Sequence, residues 1–422
     1  MTNKKVAIGL SGGVDSAVAA ALLLDQGYEV TAVHLVCYHE PGRLSRRAST
    51  WSGCRADQDR KDALKIALKL NIPFKVLDFK KAYHDKVLAY FFDEYKKGRT
   101  PNPDIVCNQE IKFGLFYEWA LRQAQGKPAF DYVATGHYAK KLQSASWRTI
   151  FNFQTKLKTK NKKEKTETNF GLFIPKDKDK DQTYFLYRLK QEQLEHLLFP
   201  LADLTKKEVR QIAWEKDLPV ATKKDSTGIC FIGELNMHQF MKDRLGEKPG
   251  EVVDSKGKVI GTHPGYWFFT IGQRHGWKPE SRIKNLELRS KDKVKQKGRE
   301  KDIPRLYVLD RVKEKNQIIV GTRKEVMKRE FVVEDVNWLS NIAIKPYSNK
   351  AIEFFVRIRH RGELLPISNF QFLISNKRMR ILLAKPVFGV ASGQSAVLYS
   401  KIKNQISKIK NRSVVLGGGV IA

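Results

Sequence analysis

Residues 6–10 form a short unbroken apolar run, after which the pattern changes to helical spacing over 14–26 and stops at Gly27. A second apolar run covers 29–36. Residues 56–70 place Ala63, Ile66, Ala67 and Leu70 on one helical stripe, and 73–79 follow as a strand. A further helix is expected over 111–123 and a further strand over 131–135. Short apolar runs separated by helices of this length predict an α/β arrangement, a parallel sheet covered on both faces.

Later in the chain the periodicity shifts. Thr205-Lys206-Lys207-Glu208 has the spacing of a capping box and opens a helix to about residue 216. Beyond Gly250 the pattern is β-like, with turns at Ser255-Lys256-Gly257 and Pro264-Gly265 and a hairpin expected from 306–309 and 317–320. Residues 352–358 alternate, which puts Ile352, Phe354, Val356 and Ile358 on one face and Arg357 and Arg359 on the other. Residues 395–399 read as another short strand. The expected organisation is a parallel-sheet nucleotide-binding domain over 1–204, a small mixed central domain over 205–275, and an antiparallel β-barrel over 276–422.

Composition adds a partner. The 422 residues carry 78 Lys+Arg against 45 Asp+Glu, a formal charge of +33, and an excess of this size usually reports a polyanion. Part of it is local: six lysines lie within 154–166 and seven Lys/Arg within 289–301, inside longer lysine-rich insertions expected at about 143–178 and 278–302. No apolar run approaches the ~18–20 residues that span a bilayer, so no membrane is expected. Residues 1–5 lead straight into a strand pattern with no h-region, so no export signal is expected. Four cysteines in a chain this long are too few for a disulfide framework, which points to a reducing, cytoplasmic setting.

Ser11-Gly12-Gly13-Val14-Asp15-Ser16 sits between the first strand and the first helix. Two glycines let the backbone turn sharply, and the amides that follow point from a helix N-terminus, where phosphate is favoured. Ser11 and Ser16 can add hydroxyls, and Asp15 could orient a magnesium ion; no other metal-ligating set is expected. No lysine follows the turn, so this is not the G-x-x-x-x-G-K-[ST] loop. The string resembles the loop of the N-type ATP pyrophosphatases, which cleave ATP between the α and β phosphates.

Two cysteines sit in polar, turn-rich surroundings. Cys107 follows two prolines that make Thr100 to Pro103 a stiff extended stretch, and it is expected just ahead of a helix, with Lys112 a turn away favouring its thiolate. Cys230 lies in Ser226-Thr227-Gly228-Ile229-Cys230-Phe231, a glycine-containing turn. Any one cysteine is equally readable as a buried hydrophobe, the reading given to Cys37 and Cys54.

Seven strings in order then resemble the tRNA-specific 2-thiouridylase family across nearly the whole chain: 11–16, 102–113, 134–139, 180–186, 225–234, 266–274 and 416–419. The resemblance implies an enzyme that uses ATP to adenylate the C2 oxygen of the wobble uridine of tRNA and then replaces it with sulfur. It implies that Cys230 carries the sulfur as a persulfide and that Cys107 is the catalytic nucleophile, the two forming a disulfide during turnover. Gly9, Leu10, Ser11, Gly12, Gly13, Val14, Asp15 and Ser16 would bind ATP, with Leu35 and Gly136 near the adenosine. Asn102, Pro103 and Asp104 would meet the target base, splayed out of the anticodon loop. His137, Lys180, Asp181, Gln182, Arg359, His360 and Gln394 would contact tRNA; the family commonly has Arg-Tyr where Arg359-His360 stands. The partners implied are tRNA and a sulfur donor, a cysteine desulfurase or a relay of carriers, with the chain itself a monomer. An amide-forming synthetase with the same loop is the alternative, and it needs neither the cysteine pair nor the charge.

Overall fold

The computed structural model describes residues 4–38, 55–124, 127–144, 169–225, 230, 236–280, 305–339, 352–373, 377–402 and 413–422. The two lysine runs at 154–166 and 289–301, Cys54, and most of the string around Cys230 lie outside them.

The N-terminal strands form one parallel sheet in the order Phe74–Asp78, Glu29–Val36, Lys5–Gly9, Tyr132–Ala134, Leu197–Leu198. Alternation along these strands serves two cores. Val6, Ile8, Val30 and Ala32 pack with the helix Val14–Asp25 and with Val209 and Ala213 of the helix Lys206–Glu215. Ala7, Val33, Leu35 and Cys37 face the other way, against Tyr83, Phe91, Phe113 and Phe116. A sheet buried on both faces reads as continuous apolar runs, which is why its strands were visible in sequence.

The helix expected over 111–123 begins much earlier. Pro103–Cys107 is already helical and continues through π-type turns over Asn108–Phe116 into Tyr117–Leu121. The Asn102 side chain caps it by accepting from the Ile105 amide at 3.4 Å, and Pro103 occupies the first helical position. Asn-Pro is therefore a helix start here, and Cys107 is inside the helix rather than ahead of it. A second helical run, 80–96, was not among the expected elements.

The strands Lys278–Pro279, Val259–His263, Gly250–Asp254, Gln317–Gly321 and Tyr307–Val312 share a second sheet, which draws on both sides of residue 275. The C-terminal strands Met327–Trp338, Arg378–Phe388, Leu365–Leu373, Ile352–Arg357, Ser395–Ile402 and Ser413–Ile421 pair antiparallel in that order, and the last pairs with the first to close a six-stranded barrel. The hairpin Lys140–Ser144/Asn169–Phe173 extends it, with Val414 opposite Phe173. Asn169–Phe173 falls inside the stretch expected to be a lysine-rich insertion, yet Leu172 and Phe173 are fully buried.

Arg357 lies on the face opposite Val356 and Ile358, as the alternation expects, but that face is not the exposed one such a charge usually marks: Arg357 is buried, and both faces of its strand are covered. Val356 and Ile358 face the barrel interior, while Phe355 joins the core of the N-terminal half, where Val397, Tyr399 and Val415 also point. The barrel wall doubles as a packing surface, so alternation cannot mark a wet side.

Candidate active site

The loop after the first strand is held by its own serines. Ser16 Oγ accepts from the Ser11 amide at 3.2 Å, donates to the Gly13 carbonyl at 3.1 Å, and lies 3.1 Å from Ser11 Oγ. Gly12 has φ +79°, and a Cβ there would run into the Asp59 backbone. Gly136 approaches the first turn of the helix so closely that a Cβ would lie 2.8 Å from the Ser16 amide nitrogen. Leu10, Val14 and Leu35 are buried and supply the floor on which Gly9 and Gly13 carry the loop.

Cations that the sequence reading missed surround this loop. Lys206 Nζ donates to both Asp15 oxygens at 2.7 and 2.8 Å, and Tyr138 donates its hydroxyl to the same carboxylate at 2.8 Å. Asp225 binds Lys180 and Arg210, each at 2.6 Å, and Lys206 at 2.9 Å. Lys223 reaches the Gly12 carbonyl at 2.9 Å while paired with Asp59 and Asp62. Hydrogen bonds from Lys180 and Lys206 outweigh partial burial and hold the Asp225 carboxyl down at about 2. Phosphate oxygens compete for such ammonium and guanidinium groups on equal terms with carboxylates. The only available signal was indirect: Lys206 lies in the first turn of a capped helix, and Lys223 lies just before the segment that carries Cys230.

Cys107 and Cys230 come together. Cys230 is tied by three groups from elsewhere in the chain: its amide donates to Asp104 Oδ1 at 2.9 Å, its carbonyl accepts from the Tyr83 hydroxyl at 2.8 Å, and its Sγ lies 3.6 Å from Lys112 Nζ. Cys107 is fully buried, Cys230 half-buried, and both are free thiols. Burial pushes the Cys107 thiol well up, and a hydrogen bond toward the Cys230 sulfur adds to this, against the pull of Lys112. This reverses the expectation of a favoured Cys107 thiolate: the position is too deep in the helix and too dry. Cys37, also free and buried, has its thiol pushed up by burial and stands within the electrostatic reach of Lys112 and Cys230.

Gly136 and His137 join the two halves of the site. Gly136 packs on the loop, and the adjacent His137 ring faces Phe113 at 5.7 Å, on the helix that carries Cys107 and Lys112. Thr135 Oγ1 and His137 Nδ1 lie 2.8 Å apart; burial, then Lys112, lowers the imidazole well below its usual range.

The other residues expected at a tRNA contact are engaged within the fold. The Asp181 carboxylate, 1% exposed, takes Arg357 at 2.6 Å and the Thr183 amide and hydroxyl at 2.9 and 2.7 Å. Gln182 Oε1 accepts from the Tyr138 amide at 2.9 Å. Arg359 donates to the Phe388 and Gly389 carbonyls at 2.7 and 2.8 Å. Gln394 donates to the Thr100 and Pro101 carbonyls at 3.1 and 3.3 Å, fixing the entry to the Asn102-Pro103-Asp104 turn from the barrel. The His360 ring lies 4.3 Å from that of Phe185. Among the described residues no group of three or more His, Cys, Asp or Glu could hold a metal, and no helix is long and apolar enough to cross a membrane.

Over 425 aligned residues the chain is 37% identical to the tRNA-specific 2-thiouridylase MnmA of Mycoplasma capricolum, covering 99% of this chain and 98% of that one. The chain belongs to the tRNA-specific 2-thiouridylase family. Members from Ureaplasma urealyticum and Staphylococcus saprophyticus are 37% and 35% identical, over 100% and 94% of this chain and 96% and 93% of theirs. Models described as tRNA methyl transferase HUP domain, tRNA methyl transferase PRC-barrel domain and aminomethyltransferase beta-barrel domain match residues 4–234, 238–322 and 328–421. The first family range contains the whole parallel sheet and both cysteines of the site; the second contains the five-stranded sheet, and the third the barrel.

Proposed function

We propose that this protein thiolates uridine in tRNA at the C2 position of the wobble base, using ATP to activate the oxygen that leaves. The observation that carries this reading is the meeting of Cys107 and Cys230 at Lys112, one residue step from the phosphate loop through Gly136-His137.

Uracil O2 is a poor leaving group. Its attack on the α-phosphorus of ATP, with loss of pyrophosphate, converts it to an adenylate from which AMP departs readily. Ser11, Gly12, Gly13 and Ser16 would take the phosphates, Gly136 would lie along the adenosine, and Lys206 and Lys223 would exchange carboxylate for phosphate. Asp15 offers one carboxylate beside the loop, and magnesium is commonly held by one or two carboxylates plus substrate phosphates, so the residues fit that ion. When bound, it would neutralise phosphate charge.

The sulfur half uses the thiols. A persulfide on Cys230 attacks C2 through its terminal sulfur and expels AMP, leaving a Cys230–S–S–C2 linkage. Cys107 attacks the Cys230 sulfur as its thiol proton is lost; the Cys107–Cys230 disulfide forms, the 2-thiouridine sulfur departs with the electron pair, and the 2-thiouracil anion takes up one proton at N3, so the step is proton-neutral. Two electrons from cellular thiols restore both cysteines, which suits a reducing cytoplasm. A sulfur-donor protein would reload Cys230, whose partial exposure allows transfer that fully buried Cys107 does not. The positive excess would attract the tRNA backbone, with the base entering at Asn102-Pro103-Asp104 and His137, Lys180, Gln182, Arg359 and His360 lining its approach. The protein would act as a monomer.

The test is nucleoside analysis of tRNA from cells that lack this gene. Loss of 2-thiouridine derivatives, restored by the wild-type gene, is expected; their persistence overturns the reading.

A further inference from the structure

Lys112 is a cation placed where two reactive sulfurs converge. It lies on the same helix as Cys107, its Nζ is 3.6 Å from Cys230 Sγ, and it is part-buried rather than reaching into solvent. The groups that face it come from several elements: Cys107 on its own helix, Asp104 at that helix's start, Cys230, Cys37 after the second strand, and His137. Asp104 is committed to the Cys230 amide, and the His137 imidazole is held neutral. Beside the Asp104 carboxylate, the groups that can bring negative charge to Lys112 are the sulfurs, with Cys230 Sγ 3.6 Å from its Nζ.

We infer that Lys112 is a catalytic residue of this site, the fixed positive charge that stabilises the anion on the Cys230 sulfur, first as the thiolate that accepts sulfur and then as the persulfide that delivers it. Lys112 transfers no proton. Its ammonium stays charged: burial works against the charge, but the sulfurs of Cys230 and Cys107 and the Asp104 carboxylate outweigh it and raise the pKa. A lysine beside a cysteine is the standard means of enlarging the thiolate fraction. The Cys107 thiol, which burial keeps protonated, is hydrogen-bonded to the Cys230 sulfur and so lies against the atom that Lys112 faces from 3.6 Å.

This inference rests on the thiolation reading for its place in the reaction, but its test does not. The full-length protein, without tRNA or ATP, is treated with iodoacetamide, and alkylation of the Cys230 peptide is followed by mass spectrometry at about pH 7.5 and about pH 10. With Lys112→Met, the Cys230 rate at the lower pH is expected to fall about tenfold, the effect of one pKa unit, and to approach the wild-type rate at the higher pH. Lys112→Arg, which keeps the charge, is expected to stay within about threefold of wild type. A change in packing or access would slow alkylation equally at both pH values, so an equal loss at both, or no loss at either, overturns the inference. Should Lys112→Met not fold, Lys112→Gln provides the same neutral comparison. A protein that shows the Lys112 effect but thiolates no tRNA overturns the previous reading and leaves the sulfur–lysine pairing standing.

Discussion

Lys206 spans from the Asp15 carboxylate at 2.7 Å to Asp225 at 2.9 Å, so one ammonium links the phosphate loop to the segment leading to Cys230. Its three N–H donors are all engaged, two by Asp15 and one by Asp225, so a phosphate oxygen must displace one of these contacts. Lys206→Met is therefore expected to raise the apparent KM for ATP about tenfold or more, the worth of one charge-assisted contact, while tRNA affinity stays within about twofold. Steady-state kinetics and a filter-binding isotherm check it. An unchanged KM would remove Lys206 from the nucleotide site.

Gly136→Ala separates nucleotide binding from folding at a single atom. The added Cβ would press on the Ser16 amide nitrogen, 2.8 Å away, with backbone rather than a flexible side chain on the far side. The loop must shift, and the serine hydrogen bonds that shape it go with it. We expect ATP affinity to fall at least tenfold with a near-native circular dichroism spectrum and a stability loss of about 1–3 kcal/mol, within the usual range for overpacking. Isothermal titration with a non-hydrolysable ATP analogue reads the first, and urea unfolding the second.

Much of the fold was legible because its signals are local. The buried sheet shows as apolar runs at 6–10 and 29–36, and Thr205 and Glu208 cap their helix reciprocally, as their spacing indicates. What failed depends on what approaches from elsewhere. Asn102-Pro103 is compatible with an extended stretch or a helix start, and only the Ile105 amide decides between them. Arg357 looked like an outer-face charge because no local pattern announces that a barrel wall is packed on both sides. Lys206 and Lys223 reach the phosphate loop from about two hundred residues downstream, with Arg210 joined to Lys206 through Asp225, and their own neighbourhoods give no direct sign of that partnership.

The Asp181–Arg357 pair, 2.6 Å apart and almost wholly buried, gives a stability prediction that bears on the tRNA contacts. Removing one member leaves an unpaired charge in the contact between the barrel and the N-terminal half. Arg357→Met is expected to cost about 3–5 kcal/mol, and the double variant Asp181→Asn/Arg357→Met to recover a substantial part of it. Urea unfolding of the four proteins closes the cycle. A loss under about 1 kcal/mol for the single variant would mean that the pair is not buried in solution.

His360 supplies a pH test in which the sign is fixed. Burial, then the neighbouring Arg361, pushes its imidazole down to about 4, against 6.5 for an ordinary histidine. The folded state thus resists a proton that the unfolded chain accepts. The resulting stability is fully present above pH 6.5 and is lost as pH falls through that value toward about 4. His360→Tyr keeps an aromatic ring against Phe185 but has nothing to protonate in this window. Between about pH 7.5 and about pH 5, the urea midpoint of the wild-type protein is expected to drop further than that of the variant. His34, His137 and His263 are also held down by burial and contribute equally to both proteins, so the difference between the two drops isolates His360. Equal drops would mean that the ring at 360 is already solvated and free of the Phe185 contact, with the surface beside Asp181 and Arg357 open rather than packed.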